Sequence, residues 1–224
     1  MEKRNELGFL QKYQNPLIKQ IQFCYDGTCT IFFRDGTTRS HFVNCEVVYN
    51  EQHGIPLSLD GTKLFVSSWE RGLTAYDTMT GETVWHYKTT RVGRVFCFGS
   101  FLIAHRYAVA LQQVDVLSGE LLNEIKSRAL ERVCALDNKH LFVDRLKGKR
   151  CIMDAETMEI IKRYNEKIVN PLNCLSHCIR EAELRDGQLF IEGFERCRNR
   201  NINDDETKDF YRMIDSDFYN TGDS

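Results

Sequence analysis

Two sets of residues in this chain have side chains and spacing suited to chemistry. The first is Cys174-Leu175-Ser176-His177-Cys178, with Cys197 further along. Thiolates and imidazoles are common zinc ligands, but a structural zinc site draws on two separated ligand pairs. The sequence holds no second Cys-x-x-Cys or His-x-x-x-His pair. The nine cysteines (24, 29, 45, 97, 134, 151, 174, 178 and 197) are odd in number and scattered through apolar stretches. That pattern reads as reduced thiols acting as small buried hydrophobes. The expectation is no bound metal and no cofactor.

The second set is cationic. Arg94 (in GRVFCF), Arg132 (in ERVCAL) and Arg180 (in IREAEL) occupy matching places in successive stretches, and Arg91 and Arg128 precede the first two of them. Guanidinium forks pair bidentately with carboxylate or phosphate, so a cluster of them suits an acidic side chain, an acidic loop or a phosphorylated ligand. The same arginines have local acids within reach, Glu131 and Glu181, or can simply face water. Catalytic signatures are missing: there is no G-x-S-x-G, G-x-G-x-x-G, P-loop or H-E-x-x-H. The six histidines (41, 53, 86, 105, 140 and 177) are dispersed. Asp60, Asp137 and Asp186 fall at turns rather than in a common cluster. The chain is therefore expected not to be an enzyme.

The matching places come from a repeat. Leu64-Phe65-Val66, Leu102-Ile103-Ala104 and Leu141-Phe142-Val143 each begin 13 residues before an aspartate, namely Asp77, Asp115 and Asp154. A looser copy runs from Leu189-Phe190-Ile191 to Asp215, lengthened by an insertion near Arg198 to Thr207. A fragment, Thr30 to Thr37, keeps a strand, an Asp-Gly turn and a following strand. Each unit reads as four antiparallel strands: one before a turn such as Asp60-Gly61 or Asp186-Gly187, the apolar triplet, a strand ending at the aspartate, and an alternating strand such as Thr83-Val84-Trp85-His86-Tyr87. A four-stranded meander has two faces to cover, and stacking successive units face to face covers them.

The stretches YDTMTGETVWHYK and VDVLSGELLNEIK resemble blades of the β-propeller superfamily with WD, quinoprotein-like and YVTN-type repeats, over residues 55 to 215. The resemblance implies an all-β fold, a propeller of about five four-stranded blades (roughly 17–50, 51–90, 91–128, 129–170 and 171–219), between an extension at 1–16 and a tail at 220–224. It also implies that the first strand of each blade lines the channel, its start lying on the face used for binding. Arg94, Arg132 and Arg180 would then form a partial cationic ring, widened by Arg91 and Arg128. Ring closure is expected from Leu17 to Tyr25, an alternating stretch that would supply the outer strand of the last blade.

Composition narrows the partner. The chain has 224 residues, 42% hydrophobic and 28% charged, with a net charge of −2. That is ample for a core and argues against bulk electrostatic binding to nucleic acid or an anionic membrane. The N-terminal residues hold no apolar run like that of a signal peptide, and the most apolar run, Val95 to Ala104, is too short for a membrane span. The reading is a cytoplasmic, non-catalytic binding or scaffold module for another protein, with an acidic surface as the favoured partner and a monomer as the favoured state. The alternatives are an enzyme acting on a sugar or anionic metabolite in the channel, and a protein that self-associates by strand exchange.

Overall fold

The computed structural model describes residues 17–23, 28–42, 61–147, 149–164, 174–198, 205–216 and 218. Among them every regular element is a strand. The chain divides into two compact units, residues 1–126 and 127–224. In the first, β1 (Ile18–Phe23), β2 (Thr28–Phe33) and β3 (Thr38–Phe42) form one sheet. A second sheet holds β4 (Lys63–Ser68), β5 (Gly72–Asp77) and β6 (Thr83–Tyr87), and a third holds β7 (Val92–Cys97), β8 (Phe101–Arg106), β9 (Ala110–Asp115) and β10 (Leu121–Lys126). In the second unit, β11 (Arg132–Ala135), β12 (His140–Leu146), β13 (Lys149–Asp154) and β14 (Ile160–Tyr164) make one sheet, and β15 (Cys174–Arg185), β16 (Gln188–Arg198) and β17 (Asp205–Asp215) another. Every sheet is an antiparallel meander in chain order.

The triplet-to-aspartate spacing is a pairing register. In the three close copies the residue before the triplet faces the aspartate across the ladder: Lys63 faces Asp77, Phe101 faces Asp115 and His140 faces Asp154. In the looser copy Leu189 itself faces Asp215. The aspartate then closes the next turn. Asp77 Oδ1 accepts from the Met79 and Thr80 amides, both at 2.8 Å. Asp115 does the same with Leu117 and Ser118 (2.9 and 2.7 Å), and Asp154 with Glu156 and Thr157 (2.9 and 2.8 Å). The hydroxyls of Thr80, Ser118 and Thr157 in turn accept from the amides of Glu82, Glu120 and Glu159, each at 3.2 Å. These side-chain bonds imitate a backbone turn, which is why Asp-x-x-Thr/Ser recurs at this place. The backbone N–H groups of Thr80 and Ser118 hold the Asp77 and Asp115 carboxyls below the usual carboxylate range. The residue after the hydroxyl is left-handed in all three turns: Gly81, Gly119 and, with a side chain, Met158.

Stacked faces make the core. In the first unit Phe65, Leu73, Ala75 and Trp85 pack on Val92, Val95, Cys97, Leu102, Ala104, Val114 and Val116. In the second, Cys134, Leu136, Phe142, Ile152 and Tyr164 meet Ile179, Ala182, Leu189, Ile191 and Phe218. Burying one such aliphatic or aromatic side chain stabilises by about 1.5–3 kcal/mol. A polar plug fixes the stacking. The Trp85 indole N–H donates to the Val116 carbonyl at 2.9 Å, in the turn of the next sheet. His41 Nε2 lies 3.0 Å from the Thr78 carbonyl in the same way. In the second unit Lys162 Nζ (2.6 Å) and Tyr164 Oη (2.7 Å) converge on Asp215. A Cβ on Gly119 would sit 2.6 Å from the Trp85 ring, and one on Gly81 would sit 2.5 Å from the His41 ring, so both turns need glycine for space as well as for φ.

The amino-terminal strand departs from expectation. Leu17 to Tyr25 was expected to form the outer strand of the last sheet, whereas β1 heads the first sheet and pairs with β2. Ile18 faces Phe33 and Ile21 faces Ile31, which buries all four side chains, and the Arg34 amide adds a bond to Leu17 O at 3.0 Å. A short local hairpin with that apolar match forms without closing a long loop. The insertion after β16 lengthens a hairpin, with Arg198 paired to Asp205. Phe218 folds back onto the last sheet, its amide donating to Gly187 O at 2.8 Å.

Candidate functional site at the strand ends

In the β7–β10 and β11–β14 sheets one edge carries the start of the first strand, the residues just before it and the turn after the second strand. Four of the expected arginines sit there and Arg180 lies on β15, in different states. In the first unit Arg94 lies on β7 opposite His105 and is buried, 5% exposed. Arg91, in the connector, is exposed and adopts φ +60°. In the second unit Arg128 is exposed. Arg132 is half-buried and spends its Nε on the Ile179 carbonyl at 3.1 Å, across the approach of β11 to β15. Arg180 lies with its guanidinium 5.0 Å from the centroid of the Phe194 ring and 3.3 Å from Asp209 Oδ1. Arg132 and Arg180 are thus drawn together by β11 and β15. Glu131, weighed as a partner for Arg132, instead binds Arg145 at 2.8 Å.

Sequence reasoning missed the aromatic members of this edge. Trp69, in the β4–β5 turn, and Tyr107, in the β8–β9 turn, are 43% and 45% exposed. Their ring centroids are 6.0 Å apart, tilted by 39°. Arg91 fastens the two turns: its amide donates to Trp69 O at 2.6 Å and its carbonyl accepts from the Tyr107 amide at 2.9 Å. The signal was available, because both residues stand five places after the start of an apolar triplet, as Phe194 does in the last copy. Beside them Arg106 Nε donates to Thr90 O at 2.9 Å, and its guanidinium lies 3.7 Å from Glu124. Gln112 Nε2 donates to Glu124 at 2.7 Å and to Tyr87 Oη at 3.1 Å.

The carboxylates are committed elsewhere. Asp137 accepts the Lys139 and His140 amides (2.7 and 2.8 Å) and holds the His140 ring at 2.8 Å, at the opposite edge of its sheet. Asp186 occupies the β15–β16 turn with φ +50°. Asp60 lies outside the described residues. Among the described residues the deepest acid is Asp144, on β12, with Arg150 Nε 2.8 Å away and both side chains nearly inaccessible. Burial raises its pKa despite the neighbouring guanidinium. The side chains of Cys174, His177, Cys178 and Cys197 lie outside the described residues, although the backbone register sets Cys174 opposite Cys197. Among the described residues no group of three His, Cys, Asp or Glu side chains is placed to hold a metal ion. Burial pushes the Cys151 thiol up to about 11, so it is an apolar filler at neutral pH.

No family model matches this chain, and no curated protein matches it. Solved structures do. BamB from Moraxella catarrhalis superposes with a TM-score of 0.60 at 15% identity, over 79% of this chain and 53% of that one. The β-propeller domain of Myceliophteria thermophila Cps50 (Swd1) gives 0.53 at 14% identity, over 85% and 67%. The fold is a β-propeller. The third similar structure, the dihydro-heme d1 dehydrogenase NirN in complex with DHE, gives 0.52 at 12% identity, over 89% of this propeller chain and 48% of its own. The chain thus spans about half the length of BamB and of NirN. At these identities the likeness shows the fold alone; among the described residues two of the five sheets have the four strands expected of each blade and three have three.

Proposed function

We propose that this propeller is a non-catalytic, cytoplasmic binding module that engages a partner protein, through an acidic surface, at exposed strand ends. The observation that carries this reading is the division of labour between charges. Exposed cations (Arg91, Arg128 and the partly exposed Arg180) stand on connectors and first strands, whereas Asp77, Asp115 and Asp154 are occupied by turn amides. Rigid sheets hold such connectors in fixed positions, which favours recognition over chemistry. The thiols Cys97, Cys134 and Cys151 are buried as small apolar fillers, the use of cysteine that the cytoplasmic reading expects. The test is affinity purification with mass spectrometry, followed by direct binding of the recovered partner to the purified chain. Arg128→Glu with Arg180→Glu is expected to weaken binding at least tenfold, and wild-type affinity to fall as salt rises. Unchanged affinity in that double variant, or turnover of a sugar or anionic metabolite by the purified chain, overturns the reading.

A further inference from the structure

Trp69, Tyr107 and Arg91 form a unit that nothing in the blade architecture requires. Two large rings lie 6.0 Å apart at the surface of two different sheets, each more than two-fifths exposed. Leaving paired aromatics in water forgoes burial that the core would have rewarded. Arg91 is the second anomaly. A residue with a Cβ at φ +60° is strained, and glycine would relieve it. Its backbone needs no side chain to bridge Trp69 and Tyr107, yet the position carries an exposed guanidinium with no ion pair among the described residues. Strain retained at an exposed arginine beside an uncovered aromatic pair points to a ligand.

The chemistry of that ligand follows from charge and spacing. Of the cations on the segments that meet here, Arg106 has Glu124 3.7 Å away, which leaves Arg91 and Lys88 exposed beside the rings with Glu70 as the one carboxylate on those segments, so an anionic ligand is favoured. A nucleobase held between two rings needs about 7 Å between their planes, two contacts of about 3.5 Å each. These rings are closer and tilted, and present their exposed faces and edges as a shelf instead. A shelf of that kind suits an aliphatic or proline side chain, with a carboxylate on the neighbouring guanidinium fork.

We propose that Trp69, Tyr107 and Arg91 form a docking shelf for an acidic peptide segment of a partner protein, apolar or proline side chains resting on the two rings and a carboxylate pairing with Arg91. It rests on the protein-binding reading above and assigns a place and a partner chemistry to it. The chain has a built-in reporter, since of its two tryptophans Trp69 is exposed and Trp85 is buried. The probe is a set of synthetic twelve-residue peptides alternating Glu with Pro or Leu, with Lys-for-Glu versions as controls, titrated while tryptophan emission is followed. The acidic peptides are expected to give a saturable blue shift that the Lys versions do not. Arg91→Gly, which suits the left-handed backbone and so keeps the fold, is expected to weaken binding at least tenfold. Trp69→Ala is expected to abolish the shift and leave Trp85 emission intact, with residual binding read by anisotropy of a labelled peptide. Lys139→Glu, in the other unit and at the opposite edge of its sheet, is expected to leave peptide affinity unchanged. Absence of a saturable shift, equal affinity in Arg91→Gly, or a shift only with heparin, single-stranded DNA or phosphatidylserine vesicles overturns the shelf. If the partner recovered with the full chain loses affinity in Arg128→Glu/Arg180→Glu but not in Arg91→Gly, the shelf fails and the binding-module reading survives.

Discussion

Gly119→Ala is the sharpest test of how adjacent sheets are held together. The substitution meets two obstacles. Gly119 has φ +74°, where a Cβ costs about 1 kcal/mol. The new methyl would also lie 2.6 Å from Cδ2 and 2.7 Å from Cε3 of Trp85. The ring has no room to retreat, being stacked on Phe65 at 5.9 Å and bonded to the Val116 carbonyl. Overpacking of this kind costs about 1–3 kcal/mol more, so the single variant should lose about 2–4 kcal/mol. Trp85→Leu should lose about 3 kcal/mol by leaving a cavity and orphaning the Val116 carbonyl. In the Trp85→Leu background the overlap is gone and Gly119→Ala should cost only the backbone part, about 1 kcal/mol. The double-mutant cycle should therefore return a coupling of about 1–3 kcal/mol. Urea titration followed by far-UV circular dichroism reads all four variants without relying on tryptophan emission. If Gly119→Ala costs the same with and without the indole, the plug does not hold the sheets as described.

Gly81→Ala should behave as a second instance, losing about 2–4 kcal/mol in urea through its overlap with the His41 ring and its φ of +75°, and losing less when paired with His41→Ala. Arg150→Met should cost about 3–5 kcal/mol because it strands a buried Asp144 carboxylate, whereas Arg150→Met with Asp144→Leu should recover most of that loss. In acid, Asp77 and Asp115 act with one sign and Asp144 with the other. The first two have lowered folded pKa values, so their contribution is present above the unfolded value of 3.8 and lost as pH falls through the folded one. Asp144 has a raised folded pKa, so its unfavourable contribution appears as pH rises past 3.8 and is relieved on protonation. Unfolding midpoints measured from pH 6 to pH 3 should show Asp77→Asn with a flatter acid slope than wild type; an unchanged slope refutes the turn account.

The repeat was legible in sequence because one register recurs. Antiparallel pairing of the second and third strands sets Lys63, Phe101 and His140 opposite an aspartate, and that geometry is what a constant spacing records. The turn residues were legible for the same local reason. The amino-terminal copy was legible only as a fragment, since Asp35 is followed by a shorter turn in which its Oδ1 accepts from the Thr37 amide and hydroxyl. That shortening disguises β2 and β3 as the third and outer strands of a blade, a role revealed only by His41 reaching Thr78. Met158 hides a left-handed turn position behind an apolar side chain. Among the arginines, sequence located the edge but not the environments. Nothing in GRVFCF distinguishes the buried Arg94 from the exposed Arg91 three residues earlier, because burial depends on which neighbouring strand crosses above.

The plug between sheets bears on how such a chain can change over generations. At each of the three joints described, one repeat supplies the plug from its outer strand and the next supplies the socket, so a segment copied or deleted at such a repeat boundary preserves both halves of the joint. At two joints the socket is a main-chain carbonyl, which any side chain with a donor hydrogen at the right reach can fill. Histidine and tryptophan each do so here, and at a third joint lysine and tyrosine fill a carboxylate. Drift at the plug can therefore erase a recognisable motif and leave the architecture in place.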